Sequence, residues 1–280
     1  MTNSSHANPG EANLPSRKEG GLRLKGICKS PATDRPLISI VTVVRNGAKT
    51  LAQCIESVVR QQYKNIEYVV ADGCSTDGTI DILRSYESSL DYWVSERDDG
   101  IFDAMNKAVG LTTGDWILFL GADDILLADI KDLVHGFLDR NTIYYGNAYW
   151  PGRDALYDGP FTAAKLARTN ICQQAIFYPR TALTKYRHDP KYRFQADWEL
   201  NMRCFSDPAF SFQYIPVTIV QYNDVDGSST CNRDRNLEND YIALMRRHFS
   251  PPIALWRIAI ALGGRCLRIV GRPVRDDARP

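Results

Sequence analysis

Apolar residues in this chain fall into short unbroken runs separated by polar turns, with helical spacing between the runs. Leu37 to Val44 (LISIVTVV) and Ile66 to Ala71 (IEYVVA) are largely apolar and rich in β-branched residues, which fits strands buried on both faces. Asp91 to Ser95 reads as a short third strand and Trp116 to Leu120 as a fourth. Between them, helices are expected at about Lys49 to Gln61, about Thr79 to Ser85, and Ile101 to Leu111. In the first of these, Leu51, Ile55, Val58 and Val59 share a face. The first half is therefore β-α-β-α-β-α-β. With right-handed crossovers this predicts an α/β fold, a mainly parallel, Rossmann-like sheet with helices on both faces.

The pattern then loosens. A helix over 128–139 and a strand from Thr142 to Tyr149 are expected, followed after Trp150 by loops and frequent aromatics. Gln173 to Tyr178 (QQAIFY) reads as a strand, and Phe194 to Glu199 leads into a helix through about Phe205. Phe212 to Tyr222 is a strand pair or one long strand, Asp226 to Thr230 a loop, and Asp234 to Phe249 a helix. This half reads as an elaboration of the first, so 36–250 is one domain with halves 36–149 and 150–250. Residues 1–35 lack periodicity and predict a flexible tail, with a short local contact at Leu22 to Ile27 left open.

Composition narrows the function. The 280 residues carry a net charge of +1, so no global field draws the chain to nucleic acid. The seven cysteines are scattered, odd in number and never in a Cys-x-x-Cys pair, which argues against a zinc site or a disulfide framework. A reducing cytoplasm is the simplest setting. The N-terminus has no apolar core of a signal peptide, and no run of about 20 apolar residues predicts a spanning helix.

Candidate chemistry sits where predicted strands end. Trp116 to Leu120 breaks into Gly121-Ala122-Asp123-Asp124. Adjacent carboxylates at a strand's C-terminal end lie where open α/β sheets bind ligands, and they suit a hard divalent cation shared with phosphates. The plainer alternative is a cap for the next helix. Ile66 to Ala71 ends in Asp72-Gly73-Cys74-Ser75-Thr76-Asp77-Gly78-Thr79, a polar turn opening a helix, which is a local recipe for a nucleotide site. No Gly-x-Gly-x-x-Gly or Gly-Lys-Ser/Thr occurs, so dinucleotide and P-loop readings fail.

From about Leu37 to Thr230 the chain resembles the family 2 glycosyltransferases, which have the GT-A fold. The motifs that carry this are the opening strand with Arg45-Asn46, the Asp72-Gly73-x-Ser75-x-Asp77-Gly78-Thr79 turn, the Gly100 to Lys107 segment and Asp123-Asp124. SERDDGIFDAMNK, QQAIFYP and ADWEL are similar to the colanic-acid-type exopolysaccharide enzymes of that family. The resemblance implies an inverting transferase that moves sugar from a nucleotide-sugar donor, UDP-linked by preference, to a saccharide or lipid-linked acceptor. It implies donor binding by Thr42, Arg45, Asn46, Asp72, Ser75, Asp77, Asp103, Asn106 and Lys107, with Asp72 accepting from uracil. A divalent cation (Mn or Mg) would be held by Asp123 or Asp124; many relatives have Asp-x-Asp, and here the first position is Gly121. Asp197 would be the general base, with Glu199 as rival. Gln173, Gln174, Trp198 and Glu199 would meet the acceptor in the half after Trp150. A sugar-nucleotide nucleotidyltransferase and a non-catalytic nucleotide-sugar binder are the competing readings.

Residues 251–280 form a basic amphipathic tail. From 253 to 272 it reads IALWRIAIALGGRCLRIVGR, apolar with interspersed arginines and no acid. It is expected to lie on an anionic membrane surface or to pack on the domain, with Gly263-Gly264 breaking or kinking the helix.

Overall fold

Ile38–Val44 form β2, and β3 (Ile66–Asp72) and β5 (Trp116–Phe119) pair with it on either side, both parallel. β4 (Tyr92–Ser95) continues parallel beyond β3. Parallel neighbours need long crossovers, and α1 (Leu51–Val59), α2 (Thr79–Ser85) and α3 (Ile101–Leu111) supply them. Side chains alternate across the sheet, so Val41, Val69, Ile117 and Phe119 enter one core while Ile40, Tyr68, Trp116 and Leu118 enter the other. Both faces are covered, which is why these strands read as unbroken apolar runs.

The structure is a computed structural model describing residues 17–32, 35–157, 159–225 and 234–270, with side chains through 263. The expected loop at 226–230, the first 16 residues and the last ten of the tail lie outside the described residues.

The second half widens the same sheet and makes it mixed. Its strands are β6 (Ile125–Leu126), β7 (Thr142–Trp150), β8 (Ala155–Tyr157), β9 (Ile176–Pro179) and β10 (Ser211–Gln221). β9 joins β5 and β7 antiparallel, while β10 runs parallel to β7. The short helices α4 (Ile130–Leu133), α5 (Ala163–Leu166) and α6 (Arg180–Lys185) fill connections. Three longer ones close the chain: α7 (Ala196–Ser206), α8 (Arg235–His248) and α9 (Pro251–Val270).

The structure departs from expectation in four places. Residues 17–32 are not a flexible tail: β1 (Lys18–Gly20) pairs antiparallel with β4, and Leu22–Lys25 forms a 3-10 turn. Charge docks this segment. Arg23 pairs with buried Glu67 at 2.5 Å and Lys29 with buried Asp91 at 2.9 Å. The helix expected over 128–139 is one turn, α4, running into a 3-10 turn at Val134–Gly136, after which Phe137 stacks on Tyr144. Gln173–Ala175 is a 3-10 turn and the strand begins at Ile176, because the Gln173 amide turns to His188, 2.7 Å away. α9 runs through Gly263-Gly264 without a break. Among the described residues no helix is long and apolar enough to cross a membrane.

Glu67 shows what docks the N-terminal segment. It accepts from Ser39 Oγ (2.5 Å), Thr113 N–H (2.7 Å), Thr113 Oγ1 (2.5 Å) and Arg23. Burial pushes its carboxyl up, but Ser39, Thr113 and Arg23 outweigh that and hold it below the ordinary glutamate range. A carboxyl held low in the folded state adds stability above its unfolded pKa and loses it as pH falls through the folded one. Arg23→Met is therefore expected to destabilise the domain by about 1–3 kcal/mol near pH 7, with less difference in acid. Urea unfolding at the two pH values checks this; equal stability throughout would return the segment to the status of a tail.

Candidate active site

Because β2, β3, β4 and β5 are parallel, the loops after Val44, Asp72, Ser95 and Phe119 open on one edge of the sheet. The order β4-β3-β2-β5 reverses direction between β2 and β5, and open α/β sheets form their ligand crevice at such a switch point. The loops after β2 and β3 are laced together. Asn46 N–H donates to Ser75 Oγ (2.7 Å), and Thr76 N–H donates to Asn46 Oδ1 (2.9 Å). Ala48 N–H donates to Asp77 Oδ2 (3.0 Å), whose other oxygen caps Thr79. Asn46 and Cys74 sit at φ 56° and 58°, a left-handed backbone that non-glycine residues rarely adopt. A Cβ at Gly73 would lie 2.3 Å from Asp98 Oδ2, so a side chain there would displace the Asp98 carboxylate.

Asp72 is buried beneath this lacing. Its Oδ2 accepts from Ser75 N–H (3.0 Å) and Ser95 Oγ (2.6 Å), while its Oδ1 is buried with no hydrogen-bond partner among the described residues. A buried carboxylate oxygen left bare is costly unless a donor arrives.

A cavity of about 760 Å³ opens between this edge and the second half. It brings together six of the expected residues: Arg45, Asp103, Gln173, Gln174, Asp197 and Trp198. Asp197 lies in the first turn of α7, whose N-cap is Gln195, so it is not the cap. Its Oδ2 accepts from Asn170 Nδ2 (2.6 Å). Asn170 in turn accepts from Asn201 (2.8 Å), which accepts from the Tyr178 hydroxyl (2.8 Å). This relay fixes the carboxylate's orientation. Burial pushes Asp197 up to about 7 against the opposing pull of the backbone amides and Asn170. That places a carboxylate's titration in the range of a working general base.

The other expected residues do not line the cavity. Thr42 must be corrected: it is fully buried in β2, bonded to the Tyr68 hydroxyl (3.1 Å) and near Cys54, so it belongs to the core. Asn106 clips the backbone of His188 through both ends of its amide. Lys107 reaches Asp103 (2.8 Å) and the Arg97 carbonyl (3.0 Å), which is a helix-face role. Glu199 is buried and paired with Arg203 at 2.6 Å, which occupies it. Asn46, Ser75 and Asp77 build the laced loops at the edge.

Asp123 and Asp124 part ways. Neither caps the next helix, since Asp129 does so. Asp124 is 1% exposed; its oxygens accept from Gly121 N–H (3.1 Å) and Asn223 N–H (2.8 Å), and burial with the Asp123 charge pushes it up to about 7. Asp123 is exposed and accepts from the Asn223 amide at 3.1 Å, next to Tyr222 in the cavity wall. Among the described residues no cluster of three or more His, Cys, Asp or Glu could hold a metal unaided. Asp123 offers one hard oxygen ligand, which suits a cation that draws its remaining ligands from phosphate and water.

The sequence reading passed over Asn170, Asn201, Asp98, Trp150 and Tyr222, all in or behind the cavity wall. Asn170 precedes Gln173 by three residues, but it belongs to no periodic pattern that would single it out.

Comparison with known proteins decides what this arrangement is. The family model for Glycosyl transferase family 2 matches residues 39–202, more than half of the chain. The chain belongs to glycosyl transferase family 2. This family 2 enzyme is 35% identical over 246 residues to a "PGL/p-HBAD biosynthesis glycosyltransferase" of Mycobacterium bovis, covering 85% of this chain and 93% of the relative. It is 28% identical over 157 residues to the Escherichia coli "UDP-Glc:alpha-D-GlcNAc-diphosphoundecaprenol beta-1,3-glucosyltransferase WfaP", covering 52% and 62%. Among solved structures, S. aureus TarS matches with TM-score 0.62 at 13% identity, over 86% of this chain and 46% of TarS. The mannosyltransferase PcManGT from Pyrobaculum calidifontis, solved with GDP-Man and Mn²⁺, matches with TM-score 0.61 at 17% identity, over 88% and 79%. At those identities the likeness shows the fold, which is GT-A. The chain is thus a glycosyltransferase, and the nucleotidyltransferase and non-catalytic readings are set aside.

The unequal burial of the two aspartates gives a test. Asp124→Ala leaves the Gly121 and Asn223 amides without acceptors and is expected to cost about 1–3 kcal/mol. Asp123→Ala is expected to stay within about 0.5 kcal/mol of the parent. Thermal unfolding of the two single variants decides; equal stabilities would place both carboxylates in solvent.

Proposed function

We propose that this glycosyltransferase moves a sugar, with inversion, from a UDP-sugar to a saccharide or lipid-linked acceptor, with Asp197 as general base. The carrying observation is the Asp197 carboxylate: oriented by Asn170, raised to about 7, and facing the same cavity as Arg45 and Asp103. The name of the relative WfaP supports a UDP-sugar and a lipid-linked acceptor in bacterial glycan biosynthesis. The TarS fragment solved with UDP-GlcNAc supports the same donor class.

The chain's own groups divide the work. Asp72 Oδ1, buried and without a hydrogen-bond partner among the described residues, receives the uracil N–H. The laced Asn46, Ser75 and Asp77 hold the loops that frame the nucleotide, and Arg45 meets the diphosphate. Asp103 binds donor hydroxyls. Asp123 is the metal ligand in this reading, while Asp124 braces its loop. A bound Mn²⁺ or Mg²⁺ supplies positive charge against the departing diphosphate. Gln173, Gln174 and Trp198 line the acceptor side; Glu199, committed to Arg203, is dropped as rival base. Asp197 takes the acceptor hydroxyl's proton as that oxygen attacks the anomeric carbon from the face opposite the diphosphate. The enzyme works in the cytoplasm in this reading.

Only the ionised carboxylate accepts a proton, so kcat/KM is expected to rise with pH and level off above a midpoint near 7. Asp197→Asn is expected to lower kcat by about 10²-fold or more, with the midpoint gone and UDP-sugar affinity nearly unchanged. Nucleoside diphosphate release across a panel of UDP- and GDP-sugars, followed by the pH profile on the best donor, checks both. A wild-type profile flat from pH 5 to 9, or normal turnover by Asp197→Asn, would remove Asp197 as base.

A further inference from the structure

α9 divides cleanly into two faces. Successive residues of a helix turn by about 100°. Ala254 and Ile258 are buried, and Ile253 packs against the same core. Arg257 lies between them, donating from Nε to the Ala167 carbonyl (3.1 Å) and the Tyr241 hydroxyl (2.9 Å). The opposite face carries Leu255, Trp256, Ala259, Ile260, Leu262 and Gly263, all exposed and none polar. Leu255 is 64% exposed, Trp256 48%, and Ile260 and Leu262 47% each. Single exposed apolar residues are ordinary on a protein surface, but a whole helix face of them marks an interaction site.

Charge identifies the partner. Beyond Arg257, which is committed to the domain, the sequence from 258 to 275 has arginines at 265, 268, 272 and 275 and no acid before Asp276 and Asp277. The last turn of α8, just before α9, adds the exposed Arg246 and Arg247. A second copy of this surface would bring like charges together. An anionic lipid surface accepts both features, the apolar side chains entering the boundary of the acyl chains and the guanidiniums meeting phosphate head groups. The placement of α9 fits an acceptor at that surface. Arg257 and Tyr241 both bind the Ala167 carbonyl, the Trp198 indole binds the Leu166 carbonyl at 2.8 Å, and the segment they hold continues into Arg168 and Asn170 of the cavity wall.

We infer that α9 is an interfacial helix that seats the acceptor side of the cavity on an anionic membrane surface. Docking stands on the helix face itself; only its meaning, a lipid-borne acceptor, rests on the proposed function.

The test is flotation of the full chain with phosphatidylcholine vesicles, with and without phosphatidylglycerol, beside a Leu255→Ser/Trp256→Ser/Ile260→Ser variant. Wild type is expected to float with the anionic vesicles, far less with the neutral ones, and less at high salt. The variant, with three exposed positions changed and its unfolding checked against wild type, is expected to partition at least roughly tenfold more weakly. Its nucleoside diphosphate release with a soluble acceptor is expected to match wild type. Wild type left in the soluble fraction at low salt, or a variant that floats equally well, overturns the inference. So does a wild-type dimer by light scattering that the variant breaks while neither form floats, which would assign the face to self-association. Flotation without any sugar transfer would instead refute the catalytic reading and leave docking intact.

Discussion

Parallel pairing of β2 with β3 and β5 is the constraint from which the rest follows. It forces crossovers through helices, covers both faces of the sheet, and delivers the C-terminal ends of β2, β3, β4 and β5 to one edge. The register carries this to single residues: Val44 lies opposite Asp72, and Asp72 opposite Ser95. Asp72 Oδ2 therefore meets the Ser95 hydroxyl without help from any loop. The lacing of Asn46 to Ser75 and Thr76 is short for the same reason, since the turns leave neighbouring strands at the same height.

Buried carboxylates of this fold differ in how fully they are met. Glu67, on the same strand as Asp72 but near its other end, has four donors, one of them the Arg23 guanidinium. Asp124 has a backbone amide on each oxygen. Asp91 leaves one oxygen bare, but Lys29 neutralises it. Asp72 leaves one oxygen bare and has no ion pair among the described residues, and the half-buried Asp197, met by Asn170 and backbone amides, still has its carboxyl raised. A desolvated carboxylate without full compensation costs stability, so its persistence needs another reason. The two at the cavity and its edge are those left incomplete.

The same accounting explains which parts of the structure were legible in the sequence. The first four parallel strands were, because double burial writes a continuous apolar run and the loop residues sit at fixed offsets from its end. The position of Asp72 at a strand end followed from that logic, whereas Asp103 and Asp197, both on helices, were named through the family resemblance. Residues 17–32 were not, because two ion pairs dock them and leave no periodic trace. Thr42 was misplaced because the resemblance brought it in without regard to the strand's alternation, which points its hydroxyl at Tyr68 in the core. Asp123 and Asp124 were inseparable because the residue that sorts them, Asn223, is 99 positions beyond Asp124. The Asn170 relay was invisible because hydrogen bonds between loops and helices have no sequence period.

In the proposed reaction, a base raised to about 7 by burial constrains how the cavity operates. The Asp197 titration is governed first by loss of water and only second by its hydrogen bonds. An acceptor that fills the cavity removes more water and pushes the carboxyl further up, away from ionisation. The acceptor hydroxyl opposes this by donating to the carboxylate, as does positive charge arriving with the donor's counter-ion. The ionised base is therefore most stable when acceptor and donor are both present and least stable with an apolar filler alone. A site so arranged couples base ionisation to assembly of the full complex. In that reading the coupling keeps the carboxylate from serving water in place of the sugar acceptor, while the Asn170 amide and the backbone amides at the start of α7 hold Asp197 in place until the acceptor arrives.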